Sequence, residues 1–385
     1  MKTISVENLP ESVFIDRPVF LDEGYILLSP DVPMNKELKE RLGKWAFTEV
    51  YSDGSPTSSP PLEDEHTARY GNLEEDIHEV EQIEDTRKVY TKAVKDLDDI
   101  FSRFLSRSEL RITELSEIIK ELISTLRSHK RFILSLPFTE EIGDDYLAST
   151  CIKTALLSLA IGDFLKLPPH KLIEVGMAGL LHKVGMLRIP KQIWLSDKQL
   201  TSQEKKTIFA HPVIGFKLLR TYSFPVPVSL AVLEHAEKID GSGYPRKLTG
   251  DKISLYGKIV AVASAYNGAV SKRPWKSELD GHSGIMDLLK EIGRHYDERI
   301  LRALVYTLSI YPLGTYVELS NSAKGVVVRN DSDNPKYPTI RLLSDENGNP
   351  YSETPLLQTR EGDEVTIVKA LSKTEVNNLK SKIGR

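Results

Sequence analysis

Three histidines are the residues of this 385-residue chain whose chemistry stands out: His182, His211 and His235. They lie in the stretches LLHKVGMLRIP, HPVIGFKLL and HAEKIDGSGYP, each at the end or start of an apolar helical run. A neutral imidazole binds divalent metals through one ring nitrogen. A single buried histidine is more often a hydrogen-bonded core residue than a ligand. Three on separate core helices instead indicate a shared site.

A glycine-rich loop follows the third histidine directly and reads Asp-Gly-Ser-Gly-Tyr-Pro. Gly241 and Gly243 permit backbone angles that other residues avoid, and Pro245 fixes the chain as it leaves the turn. Such a loop between helices can hold Tyr244 over a pocket. The alternative is an ordinary turn between two helices of any globular protein.

Other sequence signals predict the helices that position these histidines. Thr201-Ser202-Gln203-Glu204 has the form of a capping box, which begins a helix leading toward His211. Pro227 suits the first turn of a helix that delivers His235. An apolar run from Leu172 to Leu181 carries His182 at its end.

The order of these motifs resembles the HD-GYP family, a branch of the HD phosphohydrolases. The order is His-Lys-x-Gly, His-Pro-x-x-Gly, His-x-Glu-x-x-Asp-Gly-x-Gly-Tyr-Pro and Ala-Tyr-Asn-Gly, followed by Arg273-Pro274-Trp275. The resemblance covers about residues 137 to 312. It implies an all-helical domain that acts on the bacterial second messenger cyclic di-GMP at a site with two or three metals.

The sequence departs from the family pattern mainly at metal-binding positions. Lys183 stands where the family has the Asp of its His-Asp motif, and Met186 replaces a family lysine. Ala236 stands in place of a second histidine. Ser264 and Asn267 replace the two carboxylates of an Asp-x-x-Asp stretch. Counting back along the chain places the family's first histidine at Thr150 and its preceding Glu at Tyr146.

These replacements predict a weakened metal site. Carboxylates balance the charge of paired ions, which lower the pKa of a bridging water. A protonated lysine cannot ligate a metal, and two unit charges 4 Å apart interact by roughly 4 kcal/mol at an effective dielectric of 20. Lys183 could pair with Glu237, receive a ligand phosphate, or point into solvent. The three histidines could still hold one divalent ion, either zinc, iron or manganese. We assign no catalytic residue.

Phosphate-binding positions are retained. The resemblance implies that Arg273 and Lys276 contact the phosphates of the ligand, and Tyr244 could stack on it or hydrogen-bond to it. The alternative for Arg273 and Lys276 is a solvated loop end. The sequence therefore predicts a protein that binds cyclic di-GMP or a related cyclic dinucleotide without efficient hydrolysis. One alternative is an active phosphodiesterase with a reduced metal site. Another is a scaffold that contacts diguanylate cyclase domains through the Gly-Tyr-Pro loop.

The chain as a whole predicts a multidomain α+β protein, with an all-α HD-type bundle between small N-terminal and C-terminal β modules. The predicted order is a β-rich module (1–53), an acidic Pro/Ser-rich linker (54–85), connecting helices (86–136), the degenerate helical domain (137–312) and a second β module (313–385). The connecting helices have an apolar stripe. It could pack on the same chain or form the seam of a homodimer.

Composition limits the remaining classes. The net charge of −4 gives no signal for nucleic acid, and no apolar run is long enough to predict a membrane span. Cys151 is the one cysteine, so no internal disulfide forms. These features predict a cytoplasmic protein.

Overall fold

The structure of this protein is a computed structural model, and it divides into two compact units, Met1–His78 and Glu79–Arg385. It describes residues 2–6, 9, 13–15, 17, 19–20, 26–28, 34, 36, 39, 42, 48–57, 73–139, 146–196, 198–272, 278–331, 334–351 and 354–383. The predicted fold class is confirmed, because a helical bundle occupies the middle of the chain and small β-sheets lie toward its two ends.

The first unit is a small β module. Its main sheet is antiparallel and has the order β1-β5-β3-β4, and β2 pairs with β6. The strands are β1 (Lys2–Ser5), β2 (Phe14–Ile15), β3 (Val19–Phe20), β4 (Ile26–Leu28), β5 (Glu49–Ser52) and β6 (Pro56–Thr57). Its core contains Leu9, Ile15, Val19 and Val50. Short strands of this kind follow from the β-branched and aromatic runs separated by turn residues.

The helical part of the second unit has one continuous core, and its first helix begins at Leu73, within the residues of the first unit. Its helices are α1 (Leu73–Arg107), α2 (Ile112–Thr139), α3 (Tyr146–Phe164), α4 (Pro169–Leu181), α5 (Lys191–Trp194), α6 (Ser202–Phe209), α7 (His211–Thr221), α8 (Val226–Glu234), α9 (Leu255–Val270), α10 (Gly281–Leu289) and α11 (Glu298–Leu308). Short 3₁₀ turns span Val184–Arg188 and Gly250–Lys252. The predicted capping box is present, since Thr201 and Glu204 exchange hydrogen bonds at the start of α6.

The helix α3 is the centre of the bundle. Apolar residues lie on all sides of it, it is buried from Leu147 to Gly162, and it packs against α4, α9 and α11. In the described part of the chain it is the one helix long and apolar enough to cross a membrane, but 78% of its apolar window is buried inside the fold. It is therefore a core helix, and a helix that is hydrophobic all round belongs in such a position.

The connecting helices begin earlier than the sequence interpretation places them. The first, α1, starts at Leu73, inside the stretch interpreted as an acidic linker, because Leu73, Ile77 and Val80 recur at helical spacing among the charges. The chain leaves α1 at Arg107, and Ser108 adopts a φ of +53° before α2 begins at Ile112. The apolar stripe of α1 and α2 is buried in the core of the same chain. The homodimer seam remains a prediction.

The end of the second unit is an antiparallel five-stranded sheet in the order β10-β9-β8-β7-β11. Its strands are β7 (Tyr316–Leu319), β8 (Lys324–Arg329), β9 (Thr339–Ser344), β10 (Leu356–Gln358) and β11 (Ile367–Ala370), and α12 (Lys373–Ile383) follows them. Val317, Leu319, Val327 and Ile340 form its core. This is the small C-terminal β module that the alternating sequence predicts.

Candidate functional site

The three predicted histidines meet inside the bundle, and all three are buried. His182 follows the last residue of α4, His211 is the first residue of α7, and His235 follows the last residue of α8. The ring centroids of His182 and His235 are 5.1 Å apart, as are those of His211 and His235. Helix ends thus bring together residues that lie 53 positions apart in the sequence.

A glycine contact joins two of these helix ends. Gly185 lies in the 3₁₀ turn just after His182, and a Cβ added there would lie 2.0 Å from the carbonyl oxygen of His211 and 2.8 Å from the amide nitrogen of Gly215. Both neighbours are backbone atoms, so they cannot rotate away. Glycine at position 185 is therefore what lets the turn carrying His182 pack against the start of α7.

Each histidine uses its Nδ1 atom in the same way. The distances from Nδ1 to the backbone carbonyl oxygen three residues earlier are 2.8 Å for His182, 2.7 Å for His211 and 2.8 Å for His235. A carbonyl oxygen only accepts, so the proton of each neutral ring lies on Nδ1. The lone pair on each Nε2 atom is then available as an acceptor.

The Nε2 atoms face one another without donors between them. His211 and His235 bring their Nε2 atoms to 3.1 Å. The Nε2 atom of His182 is buried and has no hydrogen-bond partner in the described part of the chain. Acceptors left in this state are costly, since a buried unsatisfied polar group loses its solvation. A proton donor or a cation would satisfy them.

Burial also keeps these rings neutral. It is the main cause that lowers the pKa of His182 and His211 well below the ordinary value, and it lowers the pKa of His235 to about 4. The positive charge of Lys183 lowers all three values further. Near neutral pH the site therefore presents imidazoles and not imidazolium ions.

Lys183 lies beside Tyr146, the residue aligned with the Glu that precedes the family's first histidine. Its Nζ atom is 5.9 Å from the centre of the Tyr146 ring, within cation–π range. Of the three alternatives for Lys183, the pair with Glu237 is not formed among the described residues, and the other two stay open. Glu237 is buried, and its carboxylate accepts the backbone N–H groups of Arg246 at 2.7 Å and Leu248 at 3.0 Å. Backbone donors of the loop thus satisfy the carboxylate that the sequence left open.

Asn267 forms a neutral network at another position of a family carboxylate. Its amide nitrogen donates to the carbonyl oxygen of Thr150 at 3.0 Å and to the hydroxyl of Thr154 at 3.1 Å, and its oxygen accepts from Ser271 at 2.7 Å. Asn267 is buried. Thr150 is the position to which the sequence alignment assigns the family's first histidine. The side chain of Asn267 is therefore engaged in hydrogen bonds that join α9 to α3.

The Gly-Tyr-Pro loop is held by two buried glutamates. Besides the contacts of Glu237, the Glu234 carboxylate pairs with the guanidinium of Arg246 and accepts the backbone N–H of Ser254 at 2.8 Å. Gly243 lies so close to Glu237 that an added Cβ would be 2.5 Å from its Cα atom. Sequence reasoning missed Glu234 and Arg246, because their opposite charges are twelve residues apart and only the folded loop brings them together.

We expect Glu237→Gln to loosen this loop. A glutamine has the same shape but turns one acceptor into a donor, which would face a backbone N–H. Loss of charge-assisted hydrogen bonds of this kind costs about 2 kcal/mol of unfolding free energy. Urea denaturation measures it. The matched control is Glu361→Gln on the exposed surface, and equal midpoints for the two variants would contradict the assigned role.

Tyr244 and Phe209 form the outer part of the site. Their rings stack at a centroid distance of 4.5 Å and an interplanar angle of 29°, and Tyr244 meets His211 edge to face at 6.4 Å. Burial raises the pKa of Tyr244 to about 12, so its hydroxyl stays protonated. Phe209 was not predicted from the sequence. It lies only two residues before His211, and that proximity to a predicted site residue could have indicated it. Arg273 and Lys276, the predicted phosphate contacts, lie outside the described residues.

The side chains present do not fit a cluster of two or three metals. Asn267 and Ser264 replace carboxylates, Lys183 brings a positive charge, and Glu234 and Glu237 are engaged by the loop. Within the described ranges, no group of three or more His, Cys, Asp or Glu side chains is arranged to hold a metal ion. The predicted three-histidine metal site is therefore not formed as a ready set of ligands, although the unsatisfied Nε2 atom of His182 is by donor type a nitrogen that a divalent ion could accept.

Comparison with known proteins finds matches in both the helical part and the C-terminal part of the chain. Residues 122–300 match the model of an HD domain, and residues 316–379 match a KOW domain associated with HD domains. The cyclic di-GMP phosphodiesterase PdeB of Borreliella burgdorferi is 31% identical over 233 residues, which are 60% of this chain and 61% of that protein. A cyclic di-GMP phosphodiesterase of Pseudomonas aeruginosa is 30% identical over 229 residues, or 59% and 55% of the two chains. This chain thus spans little more than half the length of these relatives.

Among solved structures, an HDG"Y"P protein from Bdellovibrio bacteriovorus aligns with 79% of this chain and 97% of its own, at 15% identity and a TM-score of 0.48. The bundle that carries the three histidines is an HD domain. With its motif order and its phosphodiesterase relatives, this helical domain is of the HD-GYP type.

Proposed function

We propose that this chain is a bacterial second-messenger signalling protein whose HD-GYP domain binds cyclic di-GMP, or a related cyclic dinucleotide, without efficient hydrolysis. The observation that carries the proposal is the site's lack of free carboxylates. Glu237 is bound to backbone N–H groups, Asn267 takes part in a neutral network, and Lys183 adds a cation beside neutral histidines. The relatives named as cyclic di-GMP phosphodiesterases support the ligand class.

The proposed binding site has a lysine ammonium where the family has metal ions. A cyclic dinucleotide carries two phosphodiester charges, which the half-buried ammonium of Lys183 attracts. Arg273 and Lys276 are the further phosphate contacts that the sequence predicts, and Tyr244 is the predicted contact to a base or ribose. Binding through these groups needs no bridging water and no second metal.

A second candidate function rests on the orphaned Nε2 atom of His182. His182, His211 and His235 would hold one divalent ion, which would supply positive charge for a phosphate and polarise a water. The protein would then be a slow phosphodiesterase with a reduced metal site. A third candidate function is a scaffold that contacts diguanylate cyclase domains through the Gly-Tyr-Pro loop. It needs no nucleotide ligand. We place each of these activities in the cytoplasm, with the homodimer as a further proposal.

The proposal predicts binding without turnover. In calorimetric titration, cyclic di-GMP should bind the wild-type protein equally well with and without chelator, and Arg273→Ala should weaken binding roughly tenfold or more, since a charge-assisted phosphate contact is lost. Arg302→Ala is the control, because Arg302 is an exposed arginine paired with Glu298 on α11. Chromatography of the nucleotide after incubation with manganese or iron should show no linear product.

Metal analysis separates the three functions. We expect at most one divalent ion per chain, lost in His211→Ala. Two ions per chain, or turnover that disappears under chelation and in His211→Ala, would overturn the binding proposal in favour of the hydrolase. A protein that holds no metal and binds no cyclic dinucleotide would point to the interaction module.

A further inference from the structure

Phe209 is an exposed aromatic residue whose ring has an aromatic partner. It is the last residue of α6, and 48% of its surface is accessible to solvent. Stacking on Tyr244 covers one part of the ring and leaves the rest open. Single exposed apolar residues are common on protein surfaces and by themselves indicate nothing. The position of this one relative to the histidines distinguishes it.

Phe209 is the outer end of a continuous row of rings. From the surface inward the row runs from Phe209 to Tyr244, His211, His235 and His182, and each ring contacts the next at 4.5, 6.4, 5.1 and 5.1 Å between centroids. The inner end is buried and carries the unsatisfied Nε2 atom of His182. A ligand whose phosphate lies near Lys183 and the histidines would therefore place its base toward the aromatic outer end.

We propose that Phe209 is a stacking surface for one purine base of the bound cyclic dinucleotide, an inference that rests on the proposed ligand class. The ring is rigid, since Tyr244 supports it, and a supported aromatic ring loses little conformational freedom when a base stacks on it. Stacking uses the face of the base and not its hydrogen-bonding edge. Phe209 thus contributes affinity that guanine and adenine share.

The test compares substitutions that separate stacking from packing. Phe209→Ala should weaken cyclic di-GMP binding about tenfold, in line with the loss of one base–aromatic stack. Phe209→Leu keeps an apolar side chain against Tyr244 but has no π-face, so it should lose nearly as much. Phe209→Trp should restore the affinity. Its indole fluorescence should also be quenched on binding, a signal that a purely structural residue would not produce.

The matched control is Phe164→Ala. Phe164 is 40% exposed and stacks on Tyr306 at 5.5 Å and 26°, so it resembles Phe209 in residue type, exposure and aromatic support, but it lies at the end of α3 and outside the row of rings. Its removal should leave the dissociation constant unchanged. Thermal unfolding of both alanine variants corrects for any change in stability.

Base dependence gives a second readout. The fold loss in Phe209→Ala should be similar for cyclic di-GMP and cyclic di-AMP, whatever their absolute affinities. If wild-type protein binds cyclic di-GMP and Phe209→Leu binds it equally tightly, the stacking inference is wrong while the proposed function stands. If wild-type protein binds no cyclic dinucleotide, the proposed function itself has failed.

Discussion

Gly185→Ala should abolish the histidine site. The new Cβ would lie 2.0 Å from the carbonyl oxygen of His211 and 2.8 Å from the amide nitrogen of Gly215, distances at which atoms cannot coexist. The 3₁₀ turn that carries His182 must then separate from α7. Overpacking in cores typically costs 1–3 kcal/mol and sometimes more, and here the obstacle is backbone, so we expect roughly 3 kcal/mol or more. Urea denaturation and cyclic di-GMP titration measure the two consequences.

The control for Gly185→Ala is Gly162→Ala in α3. There the nearest atom to a new Cβ is the Leu172 Cδ1 atom at 3.0 Å, the far end of a flexible side chain. Alanine is also a better helix former than glycine by about 1 kcal/mol, which offsets the tight contact. Gly162→Ala should therefore have near-normal stability and full binding. A Gly185→Ala protein with wild-type stability would show that the contact between the turn and α7 is not essential.

Much of the site was predictable because its positions are fixed by local sequence signals. The capping box at Thr201 and the proline at position 227 set the starts of two helices. The histidines lie at helix ends, where the helices of the bundle meet. Once the motif order is established, the alignment also assigns Tyr146 and Thr150, which the structure places against Lys183 and Asn267. Such neighbours follow from the family pattern, although neither residue retains the family's chemistry.

Contacts between distant polar groups were not predictable. The sequence offers Glu237 to Lys183 as an ion pair, but the folded loop presents two backbone N–H groups to the same carboxylate. The pattern of side chains in a sequence does not show where backbone N–H donors will lie. The start of α1 at Leu73 is a related case, since acidic residues suggest a solvated linker while sparse apolar residues at helical spacing suffice for a helix.

A buried lysine offers the other large effect. Lys153 lies on α3 with only 9% of its surface exposed, and it makes no hydrogen bond or ion pair with any residue that the structure describes. Burial lowers its pKa from the ordinary 10.5 to about 8. That difference corresponds to about 3 kcal/mol of unfolding free energy, lost because the folded state disfavours the charged ammonium.

Lys153→Met should therefore stabilise the protein at pH 7 by about 3 kcal/mol, since methionine fills a similar volume without the charge. In the wild-type protein the penalty is full below pH 8. Between pH 8 and 10.5 the folded state releases the proton before the unfolded state does, so the free energy of unfolding rises with pH in that window. Urea denaturation at pH 7, 8 and 9.5 measures both effects.

The denaturation measurements stay below pH 10 because tyrosine deprotonation affects stability at higher pH. Burial raises the pKa of Tyr244 to about 12 and raises that of Tyr256 and Tyr266 further, so the deprotonation of tyrosines in the unfolded state destabilises the fold at higher pH. From pH 8 to 9.5 the wild-type protein should gain about 1.5 kcal/mol relative to Lys153→Met. Lys120→Met, at an exposed position on α2, should change neither the stability nor its pH dependence. Parallel curves for wild type and Lys153→Met would mean that the Lys153 ammonium is not desolvated, and the assigned cost would be wrong.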